Sequence, residues 1–328
     1  MLVVLTGASG HIGGNLTRAL LEQGKTLRAL VRPDDTRALA GLEVEQAAGD
    51  LLDPASLDRA FAGADVVYHL AARISITDDD DAEVFRVNVE GTRNVVQACR
   101  RAGVRRLVHF SSVHAYHQVP LDQPIDETRA LADVDSALAY DRSKARGEAA
   151  VMEGVRQGLD AVIVNPGAVL GPHDYKPSPM GQLILDLCHR RLPAVVAGGY
   201  DWVDVRDVVS GAIAAAERGR AGDKFLLTGH WRSLKELAEL VAQASGIPAP
   251  RLVSPMWLAK LGAPVAQRVT RLLGKRPKFT PHSLQVLCGN SQFKNDKARR
   301  ELGYSPRPLA ETVGAAVQWF RHSGQLRS

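Results

Sequence analysis

Short apolar runs alternate with helical patterns through the first 165 residues. Leu2–Leu5, Thr26–Val31, Val44–Ala47, Val66–Leu70, Leu107–Phe110 and Ala161–Val164 are runs of four to six residues with little polar alternation. Such runs suit strands buried on both faces of a parallel sheet. Between the first two, Ile12, Leu16, Ala19 and Leu20 recur at helical spacing, and Gly24 follows as a stop. Asp53 and Pro54 supply an N-cap and a first-turn proline for a short helix through Leu57 and Phe61. Val84, Val87, Gly91, Val95 and Ala98 mark another helix, which leads to a turn at Gly103. Strand and helix alternating in this order imply right-handed crossovers and an α/β fold, a doubly wound parallel sheet of Rossmann type.

The later half is less regular. Trp202–Val205 and Phe225–Leu227 read as returns to the sheet, with a helix from Asp207 to Glu217 between them. Ser233 and Glu236 form a capping-box pattern before the helix of Leu237, Leu240 and Val241. Gly246, Pro248 and Pro250 break the chain; apolar positions 258, 261, 265, 269 and 272 then follow, interrupted by Pro264. A final helix uses Leu309, Val313, Ala316, Val317 and Phe320. The pattern divides the chain into a dinucleotide-binding domain over 1–168, to which 202–228 returns, and a smaller, mainly helical C-terminal lobe over 169–201 and 229–328 that binds substrate.

Composition narrows the class. With 45% apolar and 23% charged side chains the chain is ordinary globular protein. No apolar run approaches the ~18 residues that span a bilayer. The amino terminus enters a strand directly, without a basic segment and cleavage site, and Cys99, Cys188 and Cys288 are too scattered for a disulfide framework or a zinc site. A cytoplasmic protein without a bound metal is expected. The net charge of +5 is unevenly spread: between Leu240 and Asn295 stand Arg251, Lys260, Arg268, Arg271, Lys275, Arg276, Lys278 and Lys294, and no acid. That stretch is either a solvated basic face or a surface for an anion, such as a phosphorylated substrate or acidic lipid. Nucleic acid is not expected, because aromatics are only 5% and no nucleic-acid-reading motif is present.

The first chemical signal is Thr6-Gly7-Ala8-Ser9-Gly10-His11-Ile12-Gly13, which follows the first strand and opens the first helix. Glycine is needed for the tight turn, for backbone approach to a pyrophosphate, and for close contact of helix and strand. The helix amino terminus offers free N–H groups and a positive dipole end to phosphates. The second strand ends Ala29-Leu30-Val31-Arg32-Pro33, with a base where an acid would hold the ribose hydroxyls. Arg32 suits a 2′-phosphate, which favours NADP(H); Asp34 and Asp35 keep NAD(H) open. Asp50 and Leu51 stand where the adenine edge is expected, and Leu70, Ala71 and Ala72 are small enough to pass under the cofactor.

The second signal is Tyr140-Asp141-Arg142-Ser143-Lys144, which puts a phenol and an ammonium one helical turn apart. A lysine there is expected to favour the phenolate and to hold the nicotinamide ribose. Ser111 and Ser112 end the fifth strand, where a hydroxyl can hold a substrate carbonyl while Tyr140 gives the proton.

With these residues the chain resembles the extended short-chain dehydrogenases/reductases, the NAD-dependent epimerase/dehydratase group. The likeness covers the Gly7–Gly13 loop, Gly49-Asp50-Leu51, His69-Leu70-Ala71-Ala72, Asn88-Val89-Glu90-Gly91-Thr92, Ser111-Ser112, Tyr140 with Lys144, Asn165-Pro166-Gly167, Gly171-Pro172 and Lys297 to Tyr304. Within the group, Val31-Arg32-Pro33 and Gly171-Pro172-His173-Asp174 look most similar to dihydroflavonol-reductase-like and hopanoid-associated sugar-epimerase-like proteins. The resemblance implies Ser112, Tyr140 and Lys144 as the catalytic set, with Ser111 an alternative for the carbonyl contact. It places Asn88 near the site, lines the nicotinamide with Pro166, Gly167, Ala168 and Val169, and implies a homodimer.

Departures from the family pattern narrow the chemistry. Val113-His114 stand where the sugar-nucleotide dehydratases carry an Asp-Glu pair, which argues against dehydration. Ala115-Tyr116-His117 lacks the glycine common in epimerases. His114, His117 and His173 fall in loops at strand ends, and Trp202, Tyr175 and Met180 are candidates to wall a substrate pocket. The expected activity is NADP(H)-dependent reduction of a carbonyl, or oxidation of the alcohol, of a small organic substrate. The alternatives are a sugar-nucleotide epimerase using the same residues and a non-catalytic NADP-binding or membrane-peripheral protein.

Overall fold

Seven strands form one parallel sheet: β1 (Leu2–Thr6), β2 (Thr26–Val31), β3 (Glu45–Ala48), β4 (Val66–His69), β5 (Arg106–Phe110), β6 (Ala161–Pro166) and β10 (Lys224–Leu227), in the order β10-β6-β5-β4-β1-β2-β3. The computed structural model describes residues 1–32, 36–74, 81–132, 138–263 and 281–326. Pro33, Asp34 and Asp35, most of the acidic run at 78–81, positions 265, 269 and 272, and the bases Arg268, Arg271, Lys275, Arg276 and Lys278 lie outside the described residues.

The pleat explains the two cores. Val3 and Leu5 point to one face, packing with Leu16 and Leu20 of α1 (His11–Glu22) and Val208 and Ala212 of α7 (Val205–Arg218). Val4 points to the other, with Leu57 and Phe61 of α2 (Pro54–Phe61), Val95 of α4 (Gly91–Arg101) and Val151 of α5 (Ala139–Arg156). The inner strands are buried as their apolar runs require; β3, at the edge, is largely exposed. Asp53 caps α2 through Ala55 N–H, with Pro54 in the first turn.

A second core gathers around Leu170, Ile184, Trp202, Leu237, Val313, Val317 and Phe320. Three helices supply much of it: α6 (Pro179–Cys188), α8 (Leu234–Ser245) and the closing helix Leu309–His322. The Ser233–Glu236 capping box is formed at the start of α8. This unit also contains sheet: β11 (His230–Ser233), β9 (Gly199–Asp204) and β7 (Ala168–Leu170) pair in that order, and β12 (Leu252–Ser254) pairs with β8 (Ala194–Val196).

The expected return of Trp202–Val205 to the main sheet is therefore corrected. That segment lies in β9 and the start of α7, and β9 joins the smaller sheet, while α7 and β10 rejoin the main one. The reason is steric. The Asp201 carbonyl approaches the Gly167 backbone so closely that a Cβ there would sit 2.6 Å away, and a Cβ on Gly229 would lie 2.0 Å from the Trp202 carbonyl. Two bare backbones thus let β9 slot between β7 and β11.

Asp201 is locked in this corner, with Oδ1 accepting from Gly229 N–H at 2.7 Å. Burial raises its carboxyl from the usual 3.8 to about 7. Between those values the folded chain keeps a proton that the unfolded chain releases, so stability falls as pH rises through that window. Asp201→Asn keeps the acceptor without the charge. Urea unfolding from pH 5 to 8.5 should show the variant's stability declining less than the parent's, by about 1–3 kcal/mol over the range; parallel curves would refute it.

Candidate functional site

The sheet reverses its winding between β1 and β4, and at this switch point Gly7 meets Ala71. A Cβ on Gly7 (φ +73°) would stand 2.6 Å from Ala71 N, and one on Gly13 2.1 Å from the Gly7 carbonyl. Both glycines are therefore required by packing alone. Gly10 is different: a Cβ there would meet only the Gly7 carbonyl, at 3.4 Å, and Gly10 is exposed. Gly10 is the N-cap of α1 with no side-chain cap and no acid in the first turn. A bare, uncapped, positive helix end fits a dinucleotide pyrophosphate. Ser9, His11 and Ile12 flank it, half-buried. His11 Nε2–H donates to the Pro172 carbonyl at 3.0 Å, joined by Asn15 Nδ2 at 3.0 Å, so the 171–174 loop is tied to this helix.

Other expected cofactor residues share this carboxyl edge. Arg32 is exposed just past β2, and Asp50 is exposed past β3 with its Oδ1 accepting from Leu52 N–H. Leu51 is buried beneath Gly91, where a Cβ would come within 3.0 Å. Leu70 and Ala71 hang from Thr6 through its carbonyl and hydroxyl, with Ala72 exposed next to them. Pro166 ends β6, and Gly167, Ala168 and Val169 lead half-buried into β7.

A buried chain of hydrogen bonds links this cradle to α5. Thr6 Oγ1 meets His69 Nδ1 at 2.7 Å, and His69 Nε2 meets Thr92 Oγ1 at 3.1 Å. Thr92 gives its only hydroxyl proton to the Asn88 carbonyl at 2.7 Å. Thr92 must therefore accept from His69 Nε2–H, and Nδ1 accepts from Thr6. Burial, aided by the Lys144 charge, pushes His69 down to about 3, so the neutral ring this tautomer needs is secure. Asn88 sits in a single π-helical turn (Arg86–Glu90), its Nδ2 donating to Ser143 Oγ at 3.0 Å. Ser143 then donates to the Tyr140 carbonyl at 2.7 Å. The sequence reading missed His69, Thr92 and Ser143 as site-building residues; the spacing Asn88–Thr92, one helical turn, was the available signal.

Tyr140 and Ser112 meet at the end of β5, and Lys144 stands one turn along α5 from Tyr140. Burial, with the Asp141 charge, raises the Tyr140 phenol well above its ordinary value, while hydrogen bonding to the Ser112 side chain opposes this. The Lys144 Nζ donates to the Phe110 carbonyl at 2.9 Å, and burial pushes the ammonium down to about 8. Glu148, one turn beyond Lys144 and fully buried, pairs with Lys224 Nζ at 2.6 Å and accepts from Asn165 Nδ2 at 2.6 Å. Asn165 Nδ2 also donates to the Ser112 carbonyl at 3.0 Å. Glu148 was missed, although it continues the Tyr140–Lys144 face at the next turn.

Beside this set lies a cavity of about 270 Å³ lined by His114, Tyr116, His117, Gln118, Val119, Leu121, Ala132, Leu138, Asp141 and the 285–289 segment. His114 Nδ1 is 3.6 Å from Asp141 Oδ1, and its ring lies 6.3 Å from that of Tyr140. No lysine or arginine lines the cavity among the described residues; Lys294 borders a separate basin. The Ser111 hydroxyl is buried at the end of β5 without a hydrogen-bond partner among the described residues.

Four expected substrate contacts are corrected. Trp202 is 1% exposed in the second core, its Nε1–H donating to the Arg232 carbonyl at 2.9 Å. His173 packs its ring 4.5 Å from Trp319 and borders the cleft between α1 and α7, because the loop is pinned to α1. Asn88 spends its amide on Arg73 and Ser143, so it positions neighbours instead of meeting substrate. Tyr175 accepts from Arg18 at 2.8 Å and stands against Trp319. Among the described residues no group of His, Cys, Asp or Glu is arranged to hold a metal, and the three cysteines are unpaired.

The glycine geometry separates folding from binding. Gly10→Ala should keep the parent melting temperature within a few degrees yet weaken NADPH binding by about tenfold or more. Gly13→Ala should lose both, by about 3 kcal/mol or more of stability. Melting curves and NADPH fluorescence titration read both; equal binding by the Gly10 variant would exclude a pyrophosphate at this turn.

The chain is similar to known proteins over its whole length. It is 39% identical to sterol demethylase protein B of Methylococcus capsulatus, covering 99% of this chain and 100% of that one. It is 34% identical to a 4-hydroxy-2-methyl-3-oxo-4-farnesyl-3,4-dihydroquinoline-1-oxide ketoreductase of Stigmatella aurantiaca, covering 99% and 98%. The crystal structure of a nucleoside-diphosphate-sugar epimerase from Pseudomonas aeruginosa superposes with a TM-score of 0.81 at 30% identity, covering 100% and 99%. The family model for the NAD dependent epimerase/dehydratase family matches residues 3–227. The bare glycine turn at the switch point and the half-buried Tyr140 on α5 thus belong to an NAD(P)-dependent enzyme, and the chain is a member of the NAD dependent epimerase/dehydratase family.

Proposed function

We propose that the protein is an NADP(H)-dependent reductase of an apolar carbonyl compound, working also in the alcohol-oxidising direction. The observation that carries this reading is the Tyr140 phenol, hydrogen-bonded to the Ser112 side chain, beside a cavity with no lysine or arginine among its described lining residues. A phenol that keeps its proton is an acid, which is what a ketone oxygen needs as it becomes an alcohol. When bound, the nicotinamide supplies or accepts the hydride. Ser112, with Ser111 as the neighbouring donor, holds the carbonyl oxygen, and Tyr140 delivers the proton to it.

Gly7, Ser9, Gly10, His11, Ile12 and Gly13 hold the pyrophosphate, Asp50 and Leu51 the adenine, and Leu70, Ala71 and Ala72 pass beneath. Lys144, with Pro166 to Val169, receives the nicotinamide end. Lys144, now bonded to the Phe110 carbonyl, would hold the ribose hydroxyls, and burial pushes its ammonium down to about 8. Arg32 favours the 2′-phosphate of NADP(H). A sugar-nucleotide epimerase reading has weaker support, since a diphosphate would find no base among the described residues lining the cavity. Three unpaired cysteines suit a reducing cytoplasm.

Tyr140→Phe should cut NADPH oxidation with apolar ketones by about a hundredfold or more while leaving the NADPH Kd nearly unchanged. Near-parent turnover by that variant would end the proposed acid role. Arg32→Ala should raise the Kd for NADPH by about tenfold and leave that for NADH within about twofold. Equal losses for both cofactors would remove the assigned preference.

A further inference from the structure

Five of the nine most exposed large apolar side chains among the described residues fall within ten positions: Leu252 (68%), Val253 (41%), Trp257 (65%), Leu258 (49%) and Leu261 (69%). They belong to β12 and to a helix over 256–263. That helix already has an inward face, since Met256, Ala259 and Ala263 pack on the second core. An ordinary surface helix would then turn polar residues outward. This one presents Trp257, Leu258 and Leu261, interrupted only by the exposed Lys260, with the exposed Arg251 beside Leu252 on β12.

The second observation is charge. From Leu240 to Asn295 the sequence carries eight bases and no acid. Of these, Arg251 and Lys260 sit within the apolar patch, and the cavity beside Tyr140 takes no base from the described part of the stretch. Solvation alone explains bases, and crystal-like packing of a core explains apolar side chains, but neither explains a tryptophan and two leucines exposed among bases. Apolar side chains with flanking cations match a surface of anionic headgroups over hydrocarbon. No helix among the described residues is long and apolar enough to cross a membrane, so the contact is peripheral.

We propose that this patch docks the enzyme on an anionic phospholipid bilayer, with Trp257, Leu258 and Leu261 entering the headgroup boundary and Arg251 and Lys260 meeting lipid phosphates. Attachment then has two separable parts: a salt-sensitive attraction by the bases and a salt-resistant insertion by the apolar side chains. The proposal is independent of the reaction assigned above.

The test is flotation of the full chain with vesicles of phosphatidylcholine alone or mixed with phosphatidylglycerol, at low and high salt. Binding to the mixed vesicles, and little to phosphatidylcholine alone, is expected. Trp257→Ser combined with Leu261→Ser should weaken it by about tenfold or more at unchanged melting temperature. Arg251→Glu combined with Lys260→Glu should weaken it at low salt and flatten the salt dependence. Because the double variants alter stability as well if the helix is perturbed, brominated lipid provides a second reading on the parent: it should quench tryptophan emission, and Trp257→Phe should abolish that quenching. Absence of binding, equal binding by the serine variant, or quenching that survives Trp257→Phe each overturns the proposal. So does a concentration-dependent dimer in sedimentation velocity that Trp257→Ser dissolves, which would make the patch a contact between two copies.

Discussion

The polar chain from Thr6 through His69, Thr92, Asn88 and Ser143 to the Tyr140 carbonyl fixes the glycine turn relative to the tyrosine helix. Its members come from β1, β4, the π-helical turn, α4 and α5, so it crosses the layer that a helix-on-sheet fold would otherwise fill with apolar contacts. Those contacts set distance but tolerate sliding; hydrogen bonds with one allowed direction do not. Each buried group left unmatched costs about 1–3 kcal/mol, so a shift of α5 breaks several bonds at once. The π-helical turn fits this constraint. It turns the Asn88 amide toward both Arg73 and Ser143 while the Asn88 carbonyl still receives Thr92.

A second polar chain holds the opposite side of the site. Lys224 on β10 neutralises Glu148, which grips Asn165, and Asn165 holds the Ser112 carbonyl. A fully buried carboxylate survives only with such partners. Glu148 also supports the charge on Lys144, against the burial that lowers it. Burial still pushes the lysine down to about 8, while burial and the Asp141 charge push Tyr140 up. The tyrosine and lysine one turn apart have opposite responses to the same burial, because one is charged when protonated and the other when deprotonated.

The legible and illegible parts of the chain divide along this line. β2 spans Thr26–Val31 as its apolar run requires, and the Asp53 cap and the Ser233–Glu236 box are formed, because each is a local pattern. Trp202–Val205 reads correctly as extended at its start, but sheet membership depends on the bare backbones at Gly167 and Gly229, which no periodicity reveals. His173 looks like a pocket residue because it follows a strand end, and Trp202 because it is large; their partners, Trp319 and Arg232, are distant in sequence or lie beyond a chain reversal. The place of the Lys144 ammonium is hidden for a related reason. Spacing brings the two residues to one helix face, but the Phe110 carbonyl captures the ammonium.

The cavity obeys a different rule from the chemistry beside it. Its walls come from the 114–121 loop and the 285–289 segment, which belong to opposite halves of the chain. Asn290 ties them: its Nδ2 donates to the Gln123 carbonyl at 2.8 Å, and the Ile125 N–H and carbonyl pair with Gln292 and Lys294. Tyr140 and the glycine turn are built into the sheet and its polar chains, whereas the cavity walls hang from this seam. Side chains such as Val119, Leu121 and Val286 are not part of the bonds that align Tyr140, since the seam is held by backbone, by Asn290 and by packing of Tyr116 and Ile125 with Phe293. The cavity walls and the bonds around Tyr140 are thus separate constructions, and under the proposed reaction substrate choice would fall to the seam.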